Sequence, residues 1–231
     1  MAIESAPITF KYLALPNALG GRGGAQRFFL LANNIPFKES LVEMSDWGAS
    51  EKARVVSSNE NPCGTVPILY TSDISGKDAQ LIQHVASARY LAHLHGLTKD
   101  NAAYDEYVQD LVADEYQGFR DAWVNTAFSG TDEEKNKYKI EAAPKLLATF
   151  DALYAKYKTH DMYLSVSKSN NSPLWADAAL FGLLRDNIIT GLIAANDLEK
   201  SYPHLWAMYA AFGEIPAVKA WIDIEESSIW C

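Results

Sequence analysis

Two short segments of this sequence carry residues whose type and order suit ligand binding. In Thr65-Val66-Pro67-Ile68-Leu69 a proline stands at the start of a β-type run. Proline cannot donate a ladder hydrogen bond, so it belongs at an edge or at a deliberate break. A cis bond between Val66 and Pro67 would turn the chain so that Val66 presents its own N–H and C=O outward. Those groups could pair with the backbone of a peptide ligand, as an added strand does; a plain strand-entry proline is the other reading. The second segment, Leu81 to Ala92, opens a helical run on the polar pair Gln83-His84. The free N–H groups of a helix start make a carboxylate site, and simple capping is the alternative.

Other chemistries find less support. Gly20-Gly21-Arg22-Gly23-Gly24 has the glycine content of a phosphate loop. No glycine-lysine-serine/threonine follows and the dinucleotide spacing is absent, so a flexible loop is expected. The five histidines, His84, His93, His95, His160 and His204, form no set with nearby carboxylates at metal-ligand spacing, and no metal is expected. Cys63 and Cys231 are too few for a disulfide framework and fit a reducing compartment. Cys63 does not sit at a helix start after the first strand, and it reads as an idle or buried thiol.

The elements that must position these residues follow from patterning. Ile8 to Ala14 is a short β-type run, followed by a loop rich in turn formers and a helix over Ala25 to Asn33. Phe37 to Val42 is a strand, Trp47 to Ser57 is weakly helical, and Asn61-Pro62-Cys63-Gly64 is a turn. Val66 to Tyr70 and Gln80 to Ile82 are strands, and His84 to His95 is a helix closed by Gly96. The order is β-α-β-α-β-β-α. Thr98-Lys99-Asp100-Asn101 is the expected linker. Beyond it, Tyr104 to Phe128, Asp132 to Tyr157, Trp175 to Ala194 and Ile215 to Ile224 read as helices. The fold class is therefore α/β plus all-α, with domains at 1–97 and 103–231.

The 231 residues carry a net charge of −9, which argues against a nucleic-acid or anionic-membrane surface. Residues 1–10 lack the basic and apolar regions of a secretory signal. The longest apolar stretch is broken by Arg185, Asp186 and Asn187, short of the ~18 residues of a membrane span. A cytoplasmic protein is expected.

Taken together, these segments resemble the cytosolic glutathione transferase family. Asn61 to Leu69 looks like the family's loop and cis-proline strand, and Gln83 to Ala92 like its helix start with an arginine-tyrosine-leucine-alanine run. Ala176-Asp177-Ala178-Ala179-Leu180-Phe181 resembles its core helix. Tyr202 to Leu205 and Ile215 to Trp221 resemble its closing helices. The resemblance implies a thioredoxin-like N-terminal domain, a helical-bundle C-terminal domain and a homodimer. It implies glutathione as co-substrate, with conjugation to a small electrophile bound between the domains.

Carried over by resemblance, Val66 would pair with the cysteinyl backbone of glutathione, with Pro67 as the cis residue. Gln83 and His84 would meet the γ-glutamyl carboxylate. Trp47 and Lys52 would serve the glycyl end, unless they lie on an amphipathic surface helix. Tyr12, closing the first strand, looks like the catalytic group of the tyrosine classes. A free thiol with a pKa of ~8.5 is only about 3% ionised at pH 7, and lowering that pKa by ~2 units needs about 2.7 kcal/mol. One hydrogen bond to a charged group contributes ~1.5–3 kcal/mol, so a tyrosine hydroxyl is about sufficient. Packing of Tyr12 into the sheet without chemistry is the alternative.

The sequence is most similar to the sigma-like class, with departures. The loop between Tyr12 and Arg22 is enlarged and brings Asn17 or a backbone N–H into consideration for the sulfur. Arg22-Gly23-Gly24 lacks the second arginine of the sigma motif, and His84 replaces its usual serine. Leu174 replaces the residue that caps the core helix, and Ser172-Pro173 offers an earlier start. Asp114, Glu115 and Gln117 are candidates for the acid that a partner subunit contributes in some classes. Tyr104, Tyr107, Tyr116, Phe119 and Trp123 either wall the electrophile site or form core. A binding or regulatory member with weak turnover, and a glutathione-dependent isomerase, are the rival functions.

Overall fold

The computed structural model describes residues 7–99 and 102–228. Met1–Ala6, Cys231 and half of the expected linker lie outside the described residues. The first half is built on four strands, β1 (Ile8–Leu13), β2 (Phe37–Val42), β3 (Ile68–Ser72) and β4 (Asp78–Ile82), in the order β2-β1-β3-β4. β1 runs parallel to β2 and antiparallel to β3, with Phe10 between Glu39 and Leu69, and β3 and β4 are antiparallel. Alternation sorts β1 into two faces. Ile8, Phe10 and Tyr12 join the core on one side, and Lys11 turns to the other.

Helix α1 (Gly21–Ala32) packs on the Tyr12 face with α3 (His84–Leu94) beside it. Helix α2, residues 44–57, includes a π turn at Trp47–Glu51. It meets the Lys11 face, and Val55 is its one buried side chain. The order β-α-β-α-β-β-α is as the patterning implies. Several boundaries differ: β3 runs Ile68–Ser72 and not Val66 to Tyr70, β4 starts at Asp78 and not Gln80, and the glycine-rich stretch expected as a flexible loop is the first turn of α1. Its start is satisfied from far away, because Gly20 and Gly21 N–H donate to the two Asp186 carboxylate oxygens at 2.7 and 2.9 Å.

The second half is helical: α4 (Ala103–Val124, continued by a π turn at Asn125–Ser129), α5 (residues 132–157), α6 (Trp175–Ile189), α7 (Ala195–Ser201), α8 (Pro203–Gly213) and α9 (Pro216–Ser228). α5 opens with a capping box, in which Thr131 and Glu134 satisfy each other's backbone N–H. Every residue from Trp175 to Asn187 is buried, so α6 is the axis of the bundle. At Gly182 it comes so close to α1 that an added Cβ would lie 3.4 Å from the Gly24 carbonyl carbon. α6 starts at Trp175, not at Ser172-Pro173. Its missing local cap is replaced by Gln109 of α4, whose Oε1 accepts from Ala176 N–H at 2.7 Å while its Nε2 donates to Asp177 at 3.1 Å. Tyr116, Phe119 and Trp123 are fully buried core, whereas Tyr104 and Tyr107 are exposed. No helix among the described residues is long and apolar enough to cross a membrane.

Asp177 also accepts from the Tyr154 hydroxyl at 2.7 Å and from Leu164 N–H at 3.2 Å. Burial nevertheless pushes its pKa up to about 6, and these hydrogen bonds only partly oppose the rise. The folded carboxyl therefore holds its proton more tightly than the unfolded one. Its contribution is greatest below the unfolded pKa of ~3.9 and is lost as pH rises through the folded value. Asp177→Asn should remove that slope. The wild-type minus variant stability, from urea unfolding, should fall by about 2 kcal/mol between about pH 4.5 and 7.

Candidate functional site

The loop before β3 is organised by one buried side chain. Asn61 Nδ2 donates to the Thr65 carbonyl at 2.6 Å, and Asn61 Oδ1 accepts from Cys63 N–H at 2.9 Å. Gly64 takes the left-handed φ of +59° that this tight turn requires. The loop delivers Val66, half-buried, and a cis Val66–Pro67 bond ahead of β3.

β4 then hands over to α3 through Gln83, which holds φ +67° and ψ 104°. A non-glycine residue in that region is strained, and such strain clusters at functional sites. As at any helix start, the first-turn N–H groups of α3 lack intrahelical partners, and no side chain caps them here. His84 follows, 3% exposed, with its Nε2 buried and unpartnered and its ring edge-on to Tyr116 at 5.6 Å. Burial, then the positive charges of Arg120 and Arg22, push its pKa down to about 3, so the imidazole is neutral.

These pieces meet at one cavity of about 450 Å³, lined by Arg22, Trp47, Gly64, Thr65, Val66, Pro67, Gln83, His84 and Gln117. Six of the nine residues singled out for the site converge there. Arg22 is held across it by Asp121 of α4, Nη2 to Oδ1 at 2.5 Å. Lys52 is exposed on α2 beside Gly64, and Asn17 is exposed in the first loop at φ +56°. Neither lines the cavity. Of the three acid candidates, Gln117 lines it, while Asp114 lies in the adjoining groove with Gln83 and His84. Glu115 is exposed and lines neither.

Tyr12 is placed differently. Its ring is buried under the first turn of α1 and stacked on Phe10 at 5.9 Å, and it is not among the cavity residues. Burial raises its pKa, opposed first by the Gly23 N–H and then by Arg120. The hydroxyl keeps its proton, which makes it a donor and not a base. Beneath it lies a buried group that the motifs do not announce. Arg120, 0% exposed, donates to Asp186 at 2.6 Å and through Nε to the Tyr116 hydroxyl at 3.1 Å. The available signal was the interruption of an apolar run by Arg185, Asp186 and Asn187, all three of which are buried.

Residues 117–225 match the family model described as glutathione S-transferase, C-terminal domain. The chain is 26% identical over 200 residues to a protein named glutathione S-transferase P of Caenorhabditis elegans, covering 85% of each. It is 27% identical over 204 residues to a glutathione S-transferase of Anopheles gambiae, covering 87% of this chain and 89% of that one. The fold matches the pi-class glutathione S-transferase of Onchocerca volvulus with a TM-score of 0.76 at 20% identity, over 96% and 95% of the two chains. The thioredoxin-like sheet domain, the helical bundle and these relatives agree, and the chain is similar to the glutathione transferase family in its C-terminal family match, its relatives and its fold.

Proposed function

We propose that this protein binds glutathione in the cavity at the start of α3 and conjugates it to an electrophilic small molecule, as a cytoplasmic homodimer with domains at 1–97 and 103–231. The observation that carries the reading is the convergence of Arg22, Trp47, Val66, Gln83 and His84 on that one cavity. Val66 offers its backbone to the cysteinyl unit. The α3 N–H groups and Gln83 take the γ-glutamyl carboxylate, and the unpartnered His84 Nε2 adds a neutral hydrogen-bonding atom at the same wall. Trp47 and Lys52 face the glycyl end. When bound, glutathione supplies a thiol that attacks the electrophile once ionised; Arg22 is the cation nearest to hand and Tyr12 the neutral donor. The experiment is a conjugation assay over a panel of electrophiles. Turnover with any of them supports the reading, and absence of both turnover and S-hexylglutathione binding defeats it.

A neutral His84 has a direct consequence. S-hexylglutathione affinity, measured by calorimetry, should be flat from about pH 5.5 to 8, because no imidazole charge is gained in that window. A fall in affinity with rising pH would mean that the ligand draws a proton onto the ring.

The enclosure of Tyr12 favours a second reading, a glutathione-binding protein with weak turnover. Tyr12→Phe separates the two. If the hydroxyl donates to the sulfur, kcat falls by about tenfold or more with S-hexylglutathione affinity unchanged, since only a transition-state interaction is lost. Unchanged kcat moves the thiol to Arg22 or to the enlarged first loop with Asn17.

A further inference from the structure

The cavity depends on α2, which supplies Trp47, yet Val55 is the one side chain this helix buries. A single valine is a weak anchor for fourteen residues of helix. What else ties α2 down is a cluster of charges. Lys11, on the interior strand β1, is 8% exposed and places its Nζ 2.7 Å from Glu51 Oε2 and 4.0 Å from Glu60 Oε1. Arg54 of α2 donates to Glu51 at 3.0 and 3.1 Å and to both Glu60 oxygens at 2.9 and 3.2 Å. The Tyr70 hydroxyl of β3 donates to Glu60.

Lysine is an expensive residue at a buried position of a central strand, where an aliphatic side chain would pack at no electrostatic cost. Its position is explained by its partner. Glu51 ends the π turn that begins at Trp47, in which Lys52 N–H bonds to the Trp47 carbonyl. Fixing Glu51 therefore fixes the turn that carries the indole. We propose that Lys11 is a positioning residue for the glutathione site, holding Glu51 so that α2 presents Trp47 to the cavity. Both carboxylates remain ionised well into the acid range, because Arg54 and the other donors hold their pKa values down. This inference rests on the glutathione reading for its ligand, but not for the tie between Lys11 and α2.

The test uses the full chain with Lys11→Met, which keeps length and removes charge, and Glu51→Gln in case the first variant folds poorly. Hydrogen–deuterium exchange without ligand should accelerate in residues 44–57 and stay unchanged in α1 and α3. S-hexylglutathione affinity should weaken about tenfold, and Lys11→Arg should restore it. KM for glutathione should rise by a similar factor, with kcat within about twofold. In a Trp47→Phe background, Lys11→Met should weaken binding no further, which a general loss of stability would not produce. Unchanged exchange in 44–57 overturns the proposal, and so does accelerated exchange with undiminished affinity. Failure of the wild type itself to bind S-hexylglutathione defeats the glutathione reading instead, and the exchange arm still decides whether Lys11 holds α2.

Discussion

Asp186→Leu should be among the most damaging single substitutions in the molecule, lowering the melting temperature by roughly 10 °C or more. The carboxylate is fully buried and serves three donors: Gly20 N–H, Gly21 N–H and Arg120. Its removal leaves the Arg120 guanidinium buried without a counter-charge, which costs about 3–5 kcal/mol. For a chain of this size each kcal/mol corresponds to roughly 2–4 °C. Asp186→Leu combined with Arg120→Met should recover about 2 kcal/mol or more of the loss, since an apolar pair replaces an unpaired charge. Full recovery is not expected, because the two glycine N–H groups stay without an acceptor. Thermal and urea unfolding of the two singles and the double measure this. Additive losses would show that the pair does not act as a unit.

Gly23→Ala should also be costly, although it adds one methyl group. An added Cβ would lie 2.5 to 2.7 Å from Cδ1, Cγ and Cε1 of the Tyr12 ring, well inside contact distance. The ring cannot swing away easily, being buried and stacked on Phe10. Overpacking of this kind costs about 1–3 kcal/mol. Turnover should fall along with stability if the Tyr12 hydroxyl takes part in the reaction, because the clash displaces the ring that carries it. Tyr12→Leu should accept Gly23→Ala with little further loss of stability. Equal penalties in the two backgrounds would show that the methyl is accommodated by a shift of α1 and not by the ring.

Much of the architecture is legible in local pattern. Ile8, Phe10 and Tyr12 alternate onto one face, and Phe37 to Val42 has the strand bounds the structure shows. His84 begins α3 where the polar pair marks it, because the end of β4 and the apolar helical run leave one place for the boundary. The cavity was legible for a different reason: its residues come from short motifs that each do a local job, a turn at Asn61–Gly64, a break at Pro67 and a helix start at Gln83. What escaped reading depends on pairs distant in the chain. The glycine-rich stretch looks like a loop because no local residue caps it, and Asp186 does so from 166 residues away. Leu174 looks like a missing cap because Gln109, 67 residues from Ala176, supplies it. Tyr12 lies one residue before the end of β1, but the glycines that draw α1 over its ring determine what its hydroxyl can reach.

The debt of α1 to Asp186 also bears on how such a chain can be recombined. The sheet domain resembles a free-standing unit, yet the helix that covers Tyr12 starts on an anion held by the bundle. A graft of residues 7–97 onto a bundle without an acid at this point of its central helix would leave the first turn of α1 with two unanswered N–H groups. The turn that carries Arg22 and encloses Tyr12 would then loosen, even with every residue of the sheet domain intact. The two halves are thus matched at this contact, and a viable chimera must bring the acid and its arginine along with the strand and helix they serve.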